Sequence, residues 1–268
     1  MKLINKPAVL ILMGVIFAAW PLMPLREKVK GLSTDTPSRI MGLIMPHHEL
    51  ASEMMIRTVE KVTTATPGIE YVVVLSPNHF KPQSETFTLT KTLKDFAIAS
   101  QIIDQIRDVG PKMIFDQQLL EGEHGLFVPM SFLRPGYPTA QFIPIAISPY
   151  FSTEKLQKMA RALSEVLPEE TLFVVSTDFS HGQMLEQAQA FDTQTVAAIQ
   201  NFDLDRLLEF GDTNLDCPAC VAVLLYIGQI READSFEQWE ESHGALITGN
   251  PLLNGTSYVT GVFKSKPR

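Results

Sequence analysis

Cysteine is scarce in this sequence: two residues in 268, too few for a disulfide-stapled scaffold. Basic charge is scarce as well. Lys and Arg number 22 against 30 Asp and Glu, a net charge of −8, and no basic stripe occurs beyond residue 31. A nucleic-acid partner gripped through its phosphates is therefore not expected. The chain contains no GxGxxG, no GxxxxGK[ST] and no GxSxG, which argues against dinucleotide enzymes, P-loop ATPases and α/β-hydrolases. Internal repeats and low-complexity stretches are also missing. A chain of this length can bury a sizeable core, and one domain over residues 38–268 is the simplest arrangement.

No apolar run has full bilayer length. Lys2 and Lys6 precede an apolar stretch from Pro7 to Leu25, and Arg26, Lys28 and Lys30 follow it. Gly14, Pro21 and Pro24 interrupt the stretch, so its longest core, Ala8 to Trp20, is short for a span. It suits the apolar part of an export signal, yet Ala18-Ala19-Trp20 runs into Pro21 without a small-x-small cleavage site. Residues 1–31 are expected to be a signal or an uncleaved membrane anchor, directing the chain to the membrane or to export. A buried amino-terminal helix and a cytoplasmic location stay open, because basic residues on both sides give no orientation. Gly31 to Ser38 reads as a polar linker.

Beyond the linker, short apolar runs alternate with helical patterns. Strands are expected at Ile40–Met45, Tyr71–Leu75, Gln141–Ile147, Thr171–Ser176, Gly244–Thr248 and Ser257–Phe263. Helices are expected at Glu49–Thr64, Leu93–Arg107, from a Ser152 cap to about Leu167, and over Pro218–Gln229. Two more are expected between Met184 and Phe210, broken near Asn201–Asp203. The pattern predicts an α/β fold, with a central, largely parallel or mixed sheet covered by helices on both faces.

Ligands of open α/β sheets bind beyond the carboxyl ends of the strands. Three polar motifs fall there: Pro46-His47-His48, Ser76-Pro77-Asn78-His79, and Ser176-Thr177-Asp178-Phe179-Ser180-His181. Imidazole is the commonest metal ligand, and two histidines with one anionic group suit a non-haem iron or zinc site with open positions. Asp178 and Glu123 are carboxylate candidates. Cys217 is a thiolate candidate, placed where a helix should begin with Pro218 as its first residue, since a helix amino terminus favours the thiolate. The Cys217/Cys220 spacing equally suits a redox dithiol, a disulfide or two inert cysteines. Asp178 could orient His181 as a general acid or base, or cap the next helix. His124 lies in a turn-like stretch, Glu121-Gly122-Glu123-His124-Gly125. His48 is expected to start a helix and face away, and His243 to lie at the surface.

In this order, Pro46-His47, Ser76-Pro77-Asn78-His79, Glu123-His124, Val175 to Gly182 and Cys217 resemble the Memo-like family, also called AmmeMemoRadiSam system protein B. That family in turn resembles the catalytic subunit of class III extradiol dioxygenases, with its LigB-like fold. The resemblance covers roughly residues 40 to 264 and includes Thr256-Ser257-Tyr258. It implies a metal held by His47, His79 and Cys217, with Fe(II) expected and copper or zinc as alternatives. His124, His181 and Asp178 would be catalytic groups beside it. It implies either an O₂-dependent oxidoreductase of unknown substrate or a non-catalytic module binding a metal, small molecule or peptide among AmmeMemoRadiSam partners. A hydrolase with zinc-activated water is a third reading. The usual PHAGY and GPSHH segments read Pro46-His47-His48-Glu49-Leu50 and Ser76-Pro77-Asn78-His79-Phe80 here, so the glycine and tyrosine of the usual pocket are absent.

Overall fold

Short runs of β-branched and aliphatic residues form the centre of an eight-stranded sheet. The computed structural model describes residues 38–81 and 85–265. The expected signal or anchor at residues 1–31 lies outside the described residues. The strands are β1 (Arg39–Met45), β2 (Tyr71–Pro77), β3 (Phe87–Leu89), β4 (Met113–Phe115), β5 (Gln141–Ile147), β6 (Thr171–Ser176), β7 (Ala233–His243) and β8 (Ser257–Ser265). Their order across the sheet is β4-β3-β5-β2-β6-β1-β8-β7. β5, β2, β6 and β1 run parallel, whereas β3 pairs antiparallel with β5 and β8 with β1. The sheet is therefore mixed, with a parallel centre.

The helices are α1 (Ser52–Ala65), α2 (Ser100–Val109), α3 (Gln117–Gly122), α4 (His124–Gly136), α5 (Thr153–Val166), α6 (Leu185–Gln200), α7 (Leu204–Leu208), α8 (Pro218–Ile230) and α9 (Gly244–Thr248). Alternate strand residues face opposite sides of a sheet. Val73, Leu75, Phe173 and Val175 pack in one layer with α5 and α8. Val72, Val74, Leu172 and Val174 pack in the other with Met55 and Val59 of α1 and Leu126 and Met130 of α4. Helices thus cover both faces, which is why these strands read as unbroken apolar runs. α8 is apolar on every side, and Pro218 through Gly228 are all buried, the expected fate of such a helix.

β3, β4, α3 and α4 were not among the expected elements, and three further segments differ for identifiable local reasons. The helix expected from Leu93 starts only at Ser100. Asp95 has φ 68°, a left-handed backbone that a right-handed helix cannot contain, and Leu93 instead bridges Phe96. The strand expected at Gly244–Thr248 is the short helix α9. The His243 ring caps it by accepting from the Ala245 N–H, and Gly249 ends it at φ 67°. β7 was not expected at all. It is a polar edge strand, and charged edges escape an apolar-run criterion while discouraging further pairing.

β7 and β8 pack closely at Gly261. A Cβ there would lie 2.6 Å from the Glu237 carbonyl oxygen and 2.5 Å from the Phe236 ring. Gly261→Ala is expected to destabilise the domain by about 1–3 kcal/mol through overpacking. Chemical denaturation of the two proteins measures this, and an unchanged midpoint would contradict the packing described.

Candidate metal centre

Three neighbouring strands deliver the polar residues to one edge. β1 ends at Met45 and leads to His47, β2 leads to Asn78 and His79, and β6 leads to Thr177 and Asp178. Since β2, β6 and β1 are adjacent and parallel, their carboxyl ends must meet. The α3–α4 junction adds Glu123 and His124, and the segment before α8 adds Asp216.

The three imidazoles form one cluster. Ring centroids lie 5.3 Å apart for His47 and His79, 5.1 Å for His47 and His124, and 4.3 Å for His79 and His124. One nitrogen of each lies within 4.8 Å of the others, and His47, Asp178 and Asp216 form a second group within that limit. Asp216 Oδ2 sits 3.2 Å from His47 Nε2 and 4.0 Å from His79 Nε2. It is buried and makes no well-aligned hydrogen bond.

The far sides of the His47 and His79 rings are held. His47 Nδ1 lies 3.0 Å from Ser176 Oγ, and its main-chain N–H donates to Asp178 Oδ1 at 3.1 Å. His79 Nδ1 contacts Glu123 Oε1 at 2.6 Å, and its N–H donates to Glu123 Oε2 at 2.9 Å. Glu123 is fully buried and also accepts from the Gly125 N–H at 3.0 Å. Asp216 Oδ1 accepts from Thr177 Oγ1 at 2.6 Å. Metal-binding histidines are oriented in this way, with one nitrogen on a carboxylate or hydroxyl and the other free. Gly125 permits the approach, because a Cβ there would stand 2.3 Å from Ser76 Oγ.

The electrostatics favour a cation at the centre. Burial alone would lower the His47 pKa, but Asp216, Asp178 and Glu123 overcome it and raise it to about 9. Burial opposes ionisation of Asp216, yet His47 and Thr177 hold its pKa below the ordinary value. Glu123 is likewise held low against burial by its bonds to His79. Burial pushes Asp178 up. His124 is lowered by burial and by the neighbouring His79 and His47. In effect, an imidazolium proton occupies the place between the carboxylates.

Comparison with known proteins gives the chain's family. A family model described as Memo-like protein matches residues 23–245. The chain belongs to the Memo-like family. It is 26% identical over 191 residues to MEMO1 family protein MK0963 of Methanopyrus kandleri, a match covering 66% of each chain, so the chain spans just under two thirds of that relative's length. The crystal structure of uncharacterized protein JW3007 from Escherichia coli K12 superposes with a TM-score of 0.54 at 14% identity, covering 84% of this chain and 99% of that one. That likeness concerns the fold.

Within this Memo-like chain, His47, His79 and His124 come together, while other candidates sit differently. His124 is the first residue of α4 rather than part of a turn, and Glu123 caps it. Asp178 binds His47. His181 has an Nδ1 that is buried without a hydrogen bond, and its main-chain N–H donates to the Asp212 carbonyl. Its charge acts on Asp178 and Asp216, so it borders the site. Cys217 caps α8, where the sequence placed it, and is joined to Cys220 as a disulfide. A disulfide sulfur is not a thiolate. His48 caps a 3-10 turn by accepting from the Leu50 N–H. His243, expected at the surface, is buried between Gln183 and Ala245. Asp216 was overlooked as a site residue. Its signal is its place directly before the helix cap, beside a cysteine that had drawn attention.

Glu123→Leu removes the acceptor of two main-chain N–H groups and one imidazole. The expected loss is about 2–4 kcal/mol, since each buried donor left unpaired costs about 1–3 kcal/mol. Thermal and urea unfolding test this, and a change below about 1 kcal/mol would show that Glu123 does not hold the site together.

Proposed function

We propose that this Memo-like protein holds a divalent first-row metal, Fe(II) in the first instance, through His47, His79, His124 and Asp216, and works as an oxidoreductase related to the extradiol dioxygenases. The observation that carries the reading is the buried Oδ2 of Asp216, which faces the Nε2 atoms of two imidazoles at 3.2 and 4.0 Å. A buried carboxylate needs a positive partner; the His47 proton supplies one, and a metal ion shared by these nitrogens and Oδ2 would take its place. Imidazole and carboxylate donors suit iron, with zinc and copper as alternatives. The bound iron would supply redox chemistry towards O₂ and an electron-rich substrate.

The chain's own groups would do the rest. Ser176 and Glu123 keep the His47 and His79 rings turned inward. Asp178 fixes the main chain at His47. His181, whose Nδ1 has no hydrogen-bond partner, would take or return a proton of a hydroxylated substrate. His124, about half exposed and with its pKa lowered by burial and by the neighbouring His79 and His47, stands at the rim. A cleft of about 890 Å³ that reaches His79 and Asp216 offers the approach. Reduction of the Cys217–Cys220 disulfide would free the thiolate that the family resemblance assigns as third ligand with His47 and His79. A second reading, a metal-holding module without turnover, is favoured by the disulfide, which withholds that thiolate.

Full-length protein purified anaerobically, with and without a dithiol reductant, is expected to carry about one metal per chain by elemental analysis. His79→Ala and Asp216→Ala should each lose most of it, and Glu123→Gln should weaken affinity about 10–100-fold. Unchanged metal content in His79→Ala and Asp216→Ala would sink the site. Full metal with no O₂ uptake on a panel of phenols would favour the module.

The His47 proton supplies a pH test. With a pKa of about 9, the ring is protonated at pH 7 and must lose that proton to bind a metal. Affinity should therefore rise up to about tenfold per pH unit towards pH 9 and then level off. Calorimetry in buffers of different ionisation enthalpy should count about one proton released per metal at pH 7. No release would remove His47 from the ligand set.

A further inference from the structure

The cleft beside the centre has a charge character that narrows what can enter it. Its walls are apolar and aromatic, with Tyr150, Phe151, Leu208 and Phe210 among them; Asp212 supplies negative charge, while the lining groups Asp216 and His79 are engaged with His47 and Glu123. None of its lining residues is Lys or Arg. The cations close by are already engaged. Lys155 is paired with Glu85, and Arg206 is paired with Glu209 while its guanidinium lies over the outer ring of Phe210. Tyr150 presents its ring to solvent at 69% exposure, and aromatic faces attract cations. The Asp212 carboxylate takes part in none of the ion pairs described, while its main-chain carbonyl is the atom that holds His181.

We infer that this cleft selects ligands combining an aromatic or apolar body with a protonated amine, and discriminates against carboxylates and phosphates. The assignment rests on the reading of the cleft as the approach to the metal-site residues. An anion entering it would meet Asp212 with no lysine or arginine in the lining to receive it. An ammonium group would meet the Asp212 carboxylate and ring faces. The aromatic walls would take the apolar body, and Asp212 at the mouth would set the sign of the field.

Three probes of one shape separate charge from size: phenethylamine, 2-phenylethanol and phenylacetate. Each is titrated into the full chain after chelator treatment, so that phenylacetate cannot ligate a metal. Amide resonances of Phe210, Gly211 and Asp212 report binding. Phenethylamine is expected to bind about fivefold or more tightly than phenylacetate, with the alcohol between them, a difference of the size that exposed charge pairs give. Asp212→Asn should narrow the ratio about twofold, and high salt should do the same. Equal affinities, a reversed order or no saturable shift with any probe would overturn the assignment. Metal content of the untreated chain, measured in parallel, keeps the two readings apart. A chain that prefers the amine yet binds no metal supports the charge assignment while removing the metal. A chain that binds metal at His79 and Asp216 but shows no amine preference overturns the charge assignment alone.

Discussion

The buried charge pairing around His47 is the constraint on which the site depends. Asp178 and Asp216 both approach this one imidazole at a nearly dry sheet edge. Two carboxylates cannot be buried together unless something positive lies between them. The proton on His47 meets that need in the metal-free chain, and a divalent metal would meet it more fully. The surrounding hydrogen bonds follow from the same need. Thr177 steadies one oxygen of Asp216, the His47 main chain steadies Asp178, and Ser176 turns the ring so that its free nitrogen faces the carboxylates. Moving any of these groups would leave an unpaired charge behind.

The fold makes this arrangement affordable in conformational terms. Strands buried on both faces are rigid, and their carboxyl ends are held in register by their neighbours: Met45 lies opposite Ser176, and Leu75 opposite Val175. The residues one or two places later therefore have little freedom. Binding groups placed on such ends lose little entropy on meeting a ligand. α8 adds the remaining anchor. Its buried surface fixes the start of the helix, and so fixes Asp216 and Cys217 just before it.

The parallel centre of the sheet was legible because burial on both faces demands unbroken apolar runs, and Tyr71–Leu75, Gln141–Ile147 and Thr171–Ser176 are such runs. The carboxyl-end rule then located His47 and His79 without any structure. What escaped was set by side-chain or backbone detail that periodicity does not carry. The left-handed Asp95 delays α2, and the His243 ring turns Gly244–Thr248 into a helix. β7 escaped because an edge strand is free to be polar. Asp216 escaped for a different reason. A carboxylate next to a helix cap is ordinary in sequence, and only the ring nitrogens opposite it, brought from two other strands, reveal its position.

Asp216 and Cys217 stand side by side in sequence at the same end of α8, and this adjacency has a consequence for the chemistry. Both feel the positive end of the helix, which favours an anion at either position. With the disulfide closed, the carboxylate is the anion available to the imidazoles, and Cys217 serves only as a cap accepting from the Cys220 N–H. With it open, a thiolate becomes available one residue away. The two donors differ in softness, so the first favours a harder metal and the second a softer one. A single loop thus carries both a carboxylate and a cysteine. The redox state of the cysteine pair decides whether a thiolate exists at this end of α8.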